Sequence, residues 1–410
     1  MQQVRLGAGI GIALILIAAT GSLANVSAAR QDPQTGRIRI LFIGQLVGPV
    51  NLFSSWYALE PRMMVQPVPC SVQQMLLEDA RRLVRLYMPR SYQEMVDKYD
   101  CIIAQDLAPD VLSPSFLPDF RRAVLEEGLG AILAEFIYWV GNGNRIDLWM
   151  ASTFYDIIPA DIIYEQEIRQ GLNTFYELVS ENPILRLPGI EEHPMNGGHH
   201  GPMVARQGSE VLALWRGLQH PAVTFRNSGL GALVQIGHGW DNIPSPTLYN
   251  WGYCQDYAYN LVYGTTQQVI PEDLELVRKA RSLITSAADK KAMVFAILEF
   301  AEQFGANTQP ISQEIGEAAE RSIEGQLHYI NGDYELAAAV YQEVLDDFDE
   351  LEAEALNLKD RALVWVYLIE WLSVSGTCMI SGFVLYSLMI KRKAFHEVET
   401  TRTVSKRRSM

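Results

Sequence analysis

The sequence predicts an α/β domain built on a mostly parallel sheet with helices on both faces, followed by a helical stalk and one transmembrane helix. Three observations predict it. Between residues 36 and 265, short apolar runs alternate with amphipathic stretches of helical period, as in a layered α/β domain. From Pro271 to Asp360 the pattern turns wholly helical, with long charged surfaces. Ala362–Ile390 then holds one charged residue, Glu370, in 29 positions.

In chain order, the first segment is a leader. Arg5 precedes the apolar run "GIGIALILIAA" (Gly9–Ala19), and the small residues of "SLANVSAA" precede Arg30. A basic start, a short apolar stretch and a small-residue site read as a secretory signal over 1–29, cleaved after Ala28 or Ala29 or kept as an anchor. Gln31–Arg37 is a polar linker. "IRILFIG" (Ile38–Gly44) predicts a buried strand and "MMVQPV" a second. Ser71 and Gln74 have capping-box spacing, which predicts a helix from Val72. "DCIIAQD" (Asp100–Asp106) is a short strand with an acid at each end. In "LSPSFLPDFRRAVLEEGLG", Ser113 reads as a cap, Pro114 as the first helical residue and Gly128 as the stop. "GAILAEF" (Gly130–Phe136) predicts a further strand. Residues 141–222 are less regular, and "AVTFRNSGLGALVQIGHGWDN" reads as a hairpin about the turn "RNSGLG". "LYNWGYCQDYAYNLVYG" is an aromatic helix closing the domain.

Residues 271–360 read as a helical hairpin or stalk. "GDYELAAAVYQEVL" is similar to the second helix of a tetratricopeptide-type repeat, but one copy makes no solenoid. The last helix, Asp333–Asp360, would be about 40 Å long at 1.5 Å per residue and leads towards the membrane span. Trp371–Ile390 alone meets the roughly 20 apolar residues needed to cross a bilayer. Trp365, Tyr367 and Trp371 crowd one end, the place for interfacial rings, and Glu370 falls there as a solvated carboxylate, or faces a partner if the helix sits deeper. Residues 391–410 hold seven Lys/Arg against two Glu, so the tail is expected in the cytoplasm and the N-terminal domain outside it. This is the pattern of a type I, single-pass protein of the cell membrane. Its expected partners are the bilayer, through the C-terminal helix, and other membrane or exported proteins, through the stalk.

A net charge of −15 with no basic patch outside the tail argues against nucleic acid as a partner. Of the four cysteines, Cys378 lies in the span. Cys70, Cys101 and Cys254 are widely spaced and suggest neither a disulfide framework nor a metal knuckle; they read as three buried thiols, or one disulfide with a thiol left over.

From residue 36 to 265 the chain resembles the class I glutamine amidotransferase-like superfamily, its ThuA-like branch above all. The residues that carry this are "RILFIG", the block "KYDCIIAQDLAPDVLSPSFLPDFRRAVLEEGLGAILAE", the segments "TFYDIIPADI" and "NPILRLPG", and the closing "GLGALVQIGHGWDN". The resemblance implies a flavodoxin-like three-layer sandwich and hints at a carbohydrate ligand. It does not imply amidotransfer. Working enzymes of that class attack with a cysteine on a sharp turn after a strand. Here Glu135 and Phe136 follow "GAILA", Cys101 begins a strand and Cys254 lies beyond the histidine.

The remaining candidates are His238, which matches the family's Gly-His position, with Asp241 and Glu135. His238 and Asp241 have the spacing of an oriented general base, or of a loop histidine capped by a local carboxylate. Glu135 ends a predicted central strand, where open α/β sheets bind ligands, and reads as a general acid or a solvated loop acid. His193, His199 and His200 offer imidazoles, but adjacent histidines do not easily share one metal, and no cysteine completes the set. "GNGNRID" and "GLGA" lack the spacing and position of a dinucleotide loop. No metal or cofactor is therefore expected. The sequence points first to a non-catalytic, membrane-anchored, extracytoplasmic domain that binds a ligand or a partner protein. Its alternative is an extracytoplasmic hydrolase of a glycan-related substrate using His238, Asp241 and Glu135.

Overall fold

Alternate residues of the first strand, β1 (Ile38–Gly44), enter different cores: Ile38, Ile40 and Phe42 one, Leu41 and Ile43 the other. A strand apolar at nearly every position is buried on both faces, and its neighbours read the same way. The computed structural model describes residues 29–46, 51–72, 75–134, 146–163, 169–170, 174–196, 199–240 and 248–407. The expected signal segment lies outside these, Ala29 excepted. Two units divide the chain: Met1–Val277 with Tyr329–Gly332, and Arg278–His328 with Asp333–Met410.

The first unit is mixed α/β. Its strands are β1, β2 (Met63–Pro69), β3 (Cys101–Gln105), β4 (Gly130–Ala134), β5 (Ala160–Ile162), β6 (Arg169–Gln170), β7 (Thr174–Leu178), β8 (Pro194–Asn196), β9 (His199–His200), β10 (Met203–Ala205), β11 (Glu210–Trp215), β12 (Pro221–Ser228) and β13 (Gly231–Ile236). A nine-stranded sheet runs β2-β1-β3-β4-β13-β12-β11-β7-β8. It is parallel from β2 to β13 and antiparallel from β13 to β8. The parallel sheet expected from the sequence is thus present, and an antiparallel extension lengthens it. Two small ribbons, β10-β5 and β6-β9, stand apart.

Helices cover both faces of the parallel half. On one lie α1 (Phe53–Leu59) and α6 (Cys254–Thr265), whose Phe53, Tyr57, Tyr257 and Leu261 join Phe42, Ile132 and Ile236. On the other lie α2 (Leu77–Tyr87), α3 (Tyr92–Lys98) and α4 (Phe116–Glu127), whose Val84, Met95 and Phe120 pack with Leu41, Ile102 and Leu133. The short α5 (Ile146–Met150) places Trp149 in that second core. At the amino edge of the strands Arg39 pins Asp100, donating from Nε (2.9 Å) and Nη2 (2.8 Å) to the two carboxylate oxygens. A paired fork of this kind gives a buried carboxylate its partner, and it raises the pKa of Arg39.

Two helix starts differ from expectation. α2 begins at Leu77 rather than Val72, with no side-chain cap. The Ser71 hydroxyl expected to cap it donates instead to Asp106 Oδ2 at 3.0 Å, a partner no local motif reveals. α4 begins at Phe116 rather than Pro114, since Ser113 only closes a turn by accepting from the Phe116 N–H. Its stop at Gly128 stands as expected. The β12–β13 hairpin also forms, turning on Gly229, whose φ of +63° a side chain would resist.

The second unit is helical. α7 (Leu274–Gln303), which begins in the first unit, α8 (Gln309–Asn331) and the start of α9 (Tyr334–Arg407) share a core of Val294, Leu298, Ile315, Tyr341, Val344 and Phe348. Lys290 ties α7 to Asp349 (2.7 Å) and Glu352 (2.5 Å) of α9. α9 runs unbroken for 74 residues, about 110 Å at 1.5 Å per residue, so the stalk and the apolar run are one helix. That helix is long and apolar enough to cross a membrane, and none of its apolar stretch is buried in the protein. Trp365, Trp371, Met379 and Phe383 are all exposed.

Candidate functional site

In an open parallel sheet, ligands bind beyond the carboxyl ends of the strands, where the chain's connections change direction. Here that point lies between β1 and β3, since the chain steps from β1 outward to β2 and then back across β1 to β3. A cluster of buried polar side chains occupies it. Gly44 ends β1 with φ +117°, and a Cβ there would sit 1.8 Å from the Gln105 carbonyl oxygen, so no other residue fits. The tight approach puts Gln45 beside the end of β3, where its N–H donates to Gln105 O at 2.9 Å.

Asn51 ties the two together. Its Oδ1 accepts from the Phe53 N–H at 2.8 Å, which fixes its Nδ2 as the donor. That Nδ2 donates to Gln45 O (2.9 Å) and to Gln105 Oε1 (2.5 Å). The Gln105 amide therefore turns its Nε2 away, and this buried donor has no partner among the described residues. Nor has Gln45 Oε1, a buried acceptor. Next to them stands Asp106, a non-glycine residue at φ +44°, buried and accepting from Ser71. Left-handed backbone outside glycine is uncommon and gathers at ligand sites. Each unmatched buried amide group costs roughly 1–3 kcal/mol. One unmatched acceptor and one unmatched donor suit a neutral, hydroxyl-bearing ligand.

His238 lies two residues beyond β13, on the same edge. It is wholly buried, inside a ring of aromatics: Tyr176, Trp215 and, across an isolated antiparallel bridge, His200. Its Nδ1 lies 2.7 Å from Gly239 O, an atom that only accepts, so Nδ1 carries the proton. Nε2 then accepts from the Tyr176 hydroxyl at 2.5 Å, and Tyr257 Oη lies 3.3 Å beyond. Burial pulls the pKa of His238 from its ordinary 6.5 down to about 4, so the ring is neutral at pH 7. Both ring nitrogens are engaged within the core, and the acceptor a general base needs is in use. Trp215, wholly buried beside it, keeps an indole N–H without a partner among the described residues.

Glu135 and Asp241 lie outside the described residues. His193 stacks on Trp251 (5.8 Å between centroids), and His200 packs on Trp215. Among the described residues no group of three His, Cys, Asp or Glu is placed to hold a metal ion. Cys70, Cys101 and Cys254 are buried free thiols, the first of the two readings of the sequence. Burial pushes the thiols of Cys70 and Cys101 up to about 12 and raises that of Cys254 well above its usual value, so none is an activated nucleophile. Sequence reasoning missed Gln45, Asn51 and Gln105. The available signal was small: a polar residue directly after each of the apolar runs "ILFIG" and "CIIA".

No family model matches the chain, and no curated protein does. Among solved structures, a cytoplasmic protein of Salmonella typhimurium is 15% identical, with a TM-score of 0.44 over 56% of this chain and 99% of its own. A second cytoplasmic protein, of Salmonella typhimurium LT2, is 14% identical with a TM-score of 0.42, over 56% and 99%. An exo-β-1,4-mannosidase of an Opitutaceae bacterium is 11% identical with a TM-score of 0.28, over 55% of this chain and 35% of its own. Likenesses this low decide nothing about fold or chemistry, which rest on the chain's own residues.

Proposed function

We propose that the chain is a non-catalytic, membrane-anchored domain that binds a neutral ligand, or a partner presenting one, at the carboxyl edge between β1 and β3. The observation that carries this reading is the pair of unmatched amide groups, Gln45 Oε1 and Gln105 Nε2. Folding leaves such groups unsatisfied at a cost, and a ligand that satisfies both recovers it. The flavodoxin-like, amidotransferase-like fold belongs to the same proposal, supported by the parallel order β2-β1-β3-β4-β13 and by the family resemblance of the sequence. So does the topology: the acidic domain outside the cytoplasm and the basic tail within it, an arrangement supported by the charge of residues 391–410. The ThuA-like resemblance and the donor–acceptor pair both favour a saccharide.

The test is calorimetric titration of the full chain with a panel of neutral disaccharides, with product analysis of each mixture. Binding without turnover, lost in Gln45→Met, is the expected result. Cleavage lost in His238→Phe would instead establish the hydrolase of His238, Asp241 and Glu135. Failure of every sugar to bind, together with a Gln45→Met chain less stable than the parent, would overturn the reading.

A further inference from the structure

Away from that edge, arginines gather beside a pair of cavities. Arg81, Arg85 and Arg90 line a cavity of about 590 Å³ between α2 and the start of α4, with Val84, Met88 and Phe116 as its apolar wall. A second cavity of about 590 Å³ adjoins it, sharing Arg81, Leu112 and Ser113, and is otherwise walled largely by prolines and leucines. Such volumes lie in the range of small-molecule sites, which are apolar clefts with a few placed polar groups. Arg81 is committed: its Nε donates to Asp110 O at 3.1 Å, and its Nη1 meets Glu78 at 3.1 Å. Glu94 is committed too, to Lys98 (2.7 Å) and to the backbone N–H of Arg90 (2.7 Å). The side chains of Arg85 and Arg90 enter no ion pair among the described residues and are exposed at the rim.

In a chain of net charge −15, two guanidinium groups outside any ion pair among the described residues, set beside an apolar cleft, are a selective feature. Arginine's planar fork binds carboxylate or phosphate oxygens two at a time. We infer that the α2–α4 cleft is a second binding site, which takes a small amphiphilic anion. Its carboxylate or phosphate head lies against Arg85 and Arg90, and its apolar body runs past Leu112 along the paired cavities. This site is independent of any ligand at the β1–β3 edge.

The experiment titrates the full chain, held in nanodiscs of neutral phosphatidylcholine, with 6-(4-fluorophenyl)hexanoate, and follows the fluorine resonance against empty nanodiscs. The primary amide of the same body, a phosphate monoester with the same body, and inorganic phosphate are the comparison arms. The acid is expected to bind about tenfold more tightly than the amide, the scale of a charge-assisted fork. In the double variant Arg85→Gln/Arg90→Gln, with an unchanged unfolding temperature, acid and amide should bind alike. The phosphate ester binding more tightly than the acid assigns the head as phosphate, and the reverse assigns carboxylate. Acid and amide binding alike in the parent chain would overturn the inference. So would an unchanged preference in the double variant, or inorganic phosphate binding as tightly as either amphiphile.

Discussion

The carboxyl edge of the sheet holds two buried polar clusters that differ in one respect: one ring is closed and one pair is open. His238 has a partner for each ring nitrogen, Gly239 O and Tyr176 Oη, and burial holds it neutral. Gln45 and Gln105 each keep one amide atom buried and unmatched. Proteins bury polar groups in matched pairs almost everywhere, so the closed ring is what ordinary folding produces. An open pair stands out for the opposite reason, because folding alone gains nothing by it. The residue that looked most chemical in the sequence is therefore the more enclosed of the two, and unremarkable glutamines mark the proposed site. On the closed side the Trp215 N–H beside His238 is unmatched among the described residues, and it leaves both histidine nitrogens engaged.

The largest effect should come from filling the space that makes the open pair. Gly44→Ala places a methyl group against the Gln105 carbonyl at a φ of +117°, and it is expected to destabilise the domain by about 3 kcal/mol or more. Thermal unfolding of the variant checks this; a loss below about 1 kcal/mol would mean the β1–β3 edge is less tight than drawn. The closed cluster should show itself through pH. A histidine whose folded pKa lies below its unfolded value stabilises fully above about pH 6.5, and that stability is lost as the pH falls from about 6.5 towards 4. The loss attributable to His238 is roughly 3 kcal/mol. His238→Phe cannot titrate, so subtracting its unfolding curve from that of the parent should isolate this acid-side slope. Parallel curves would mean that the ring titrates alike in the folded and unfolded chain. A smaller effect, opposite in sign, belongs to the open pair: Gln45→Met removes an unmatched acceptor and should raise stability by about 1 kcal/mol. A stabilising change that abolishes binding is the mark of a group retained for its ligand.

Much of the fold was legible because double-sided burial writes itself as continuous apolar runs. β1, β3 and β4 fall within their expected stretches, and the two-residue turn of the β12–β13 hairpin was readable from its glycine. Helix starts were less legible, since Ser71 serves Asp106, 35 residues on, rather than its own helix. The antiparallel strands β7, β8 and β11 were hidden in an irregular-looking segment, because half-buried strands such as "TFYEL" resemble loop sequence. The apolar run of α9 was plain from composition, and its continuity with the stalk followed from the absence of a helix breaker between them. At the site, the sequence singled out His238 but not its closure, which comes from Tyr176, 62 residues away. Gln45, Asn51 and Gln105 could not be told from solvated loop residues, since their burial is created only when β1 and β3 pair.

The central claim is that this edge binds and does not turn over. It is tested most directly by measuring affinity and product together for one bound saccharide, in the parent chain, in Gln45→Met and in His238→Phe. The account predicts no product from any of them, an affinity at least about tenfold weaker in Gln45→Met, and one within about threefold of the parent in His238→Phe. Product formed by the parent chain and lost in His238→Phe would contradict it.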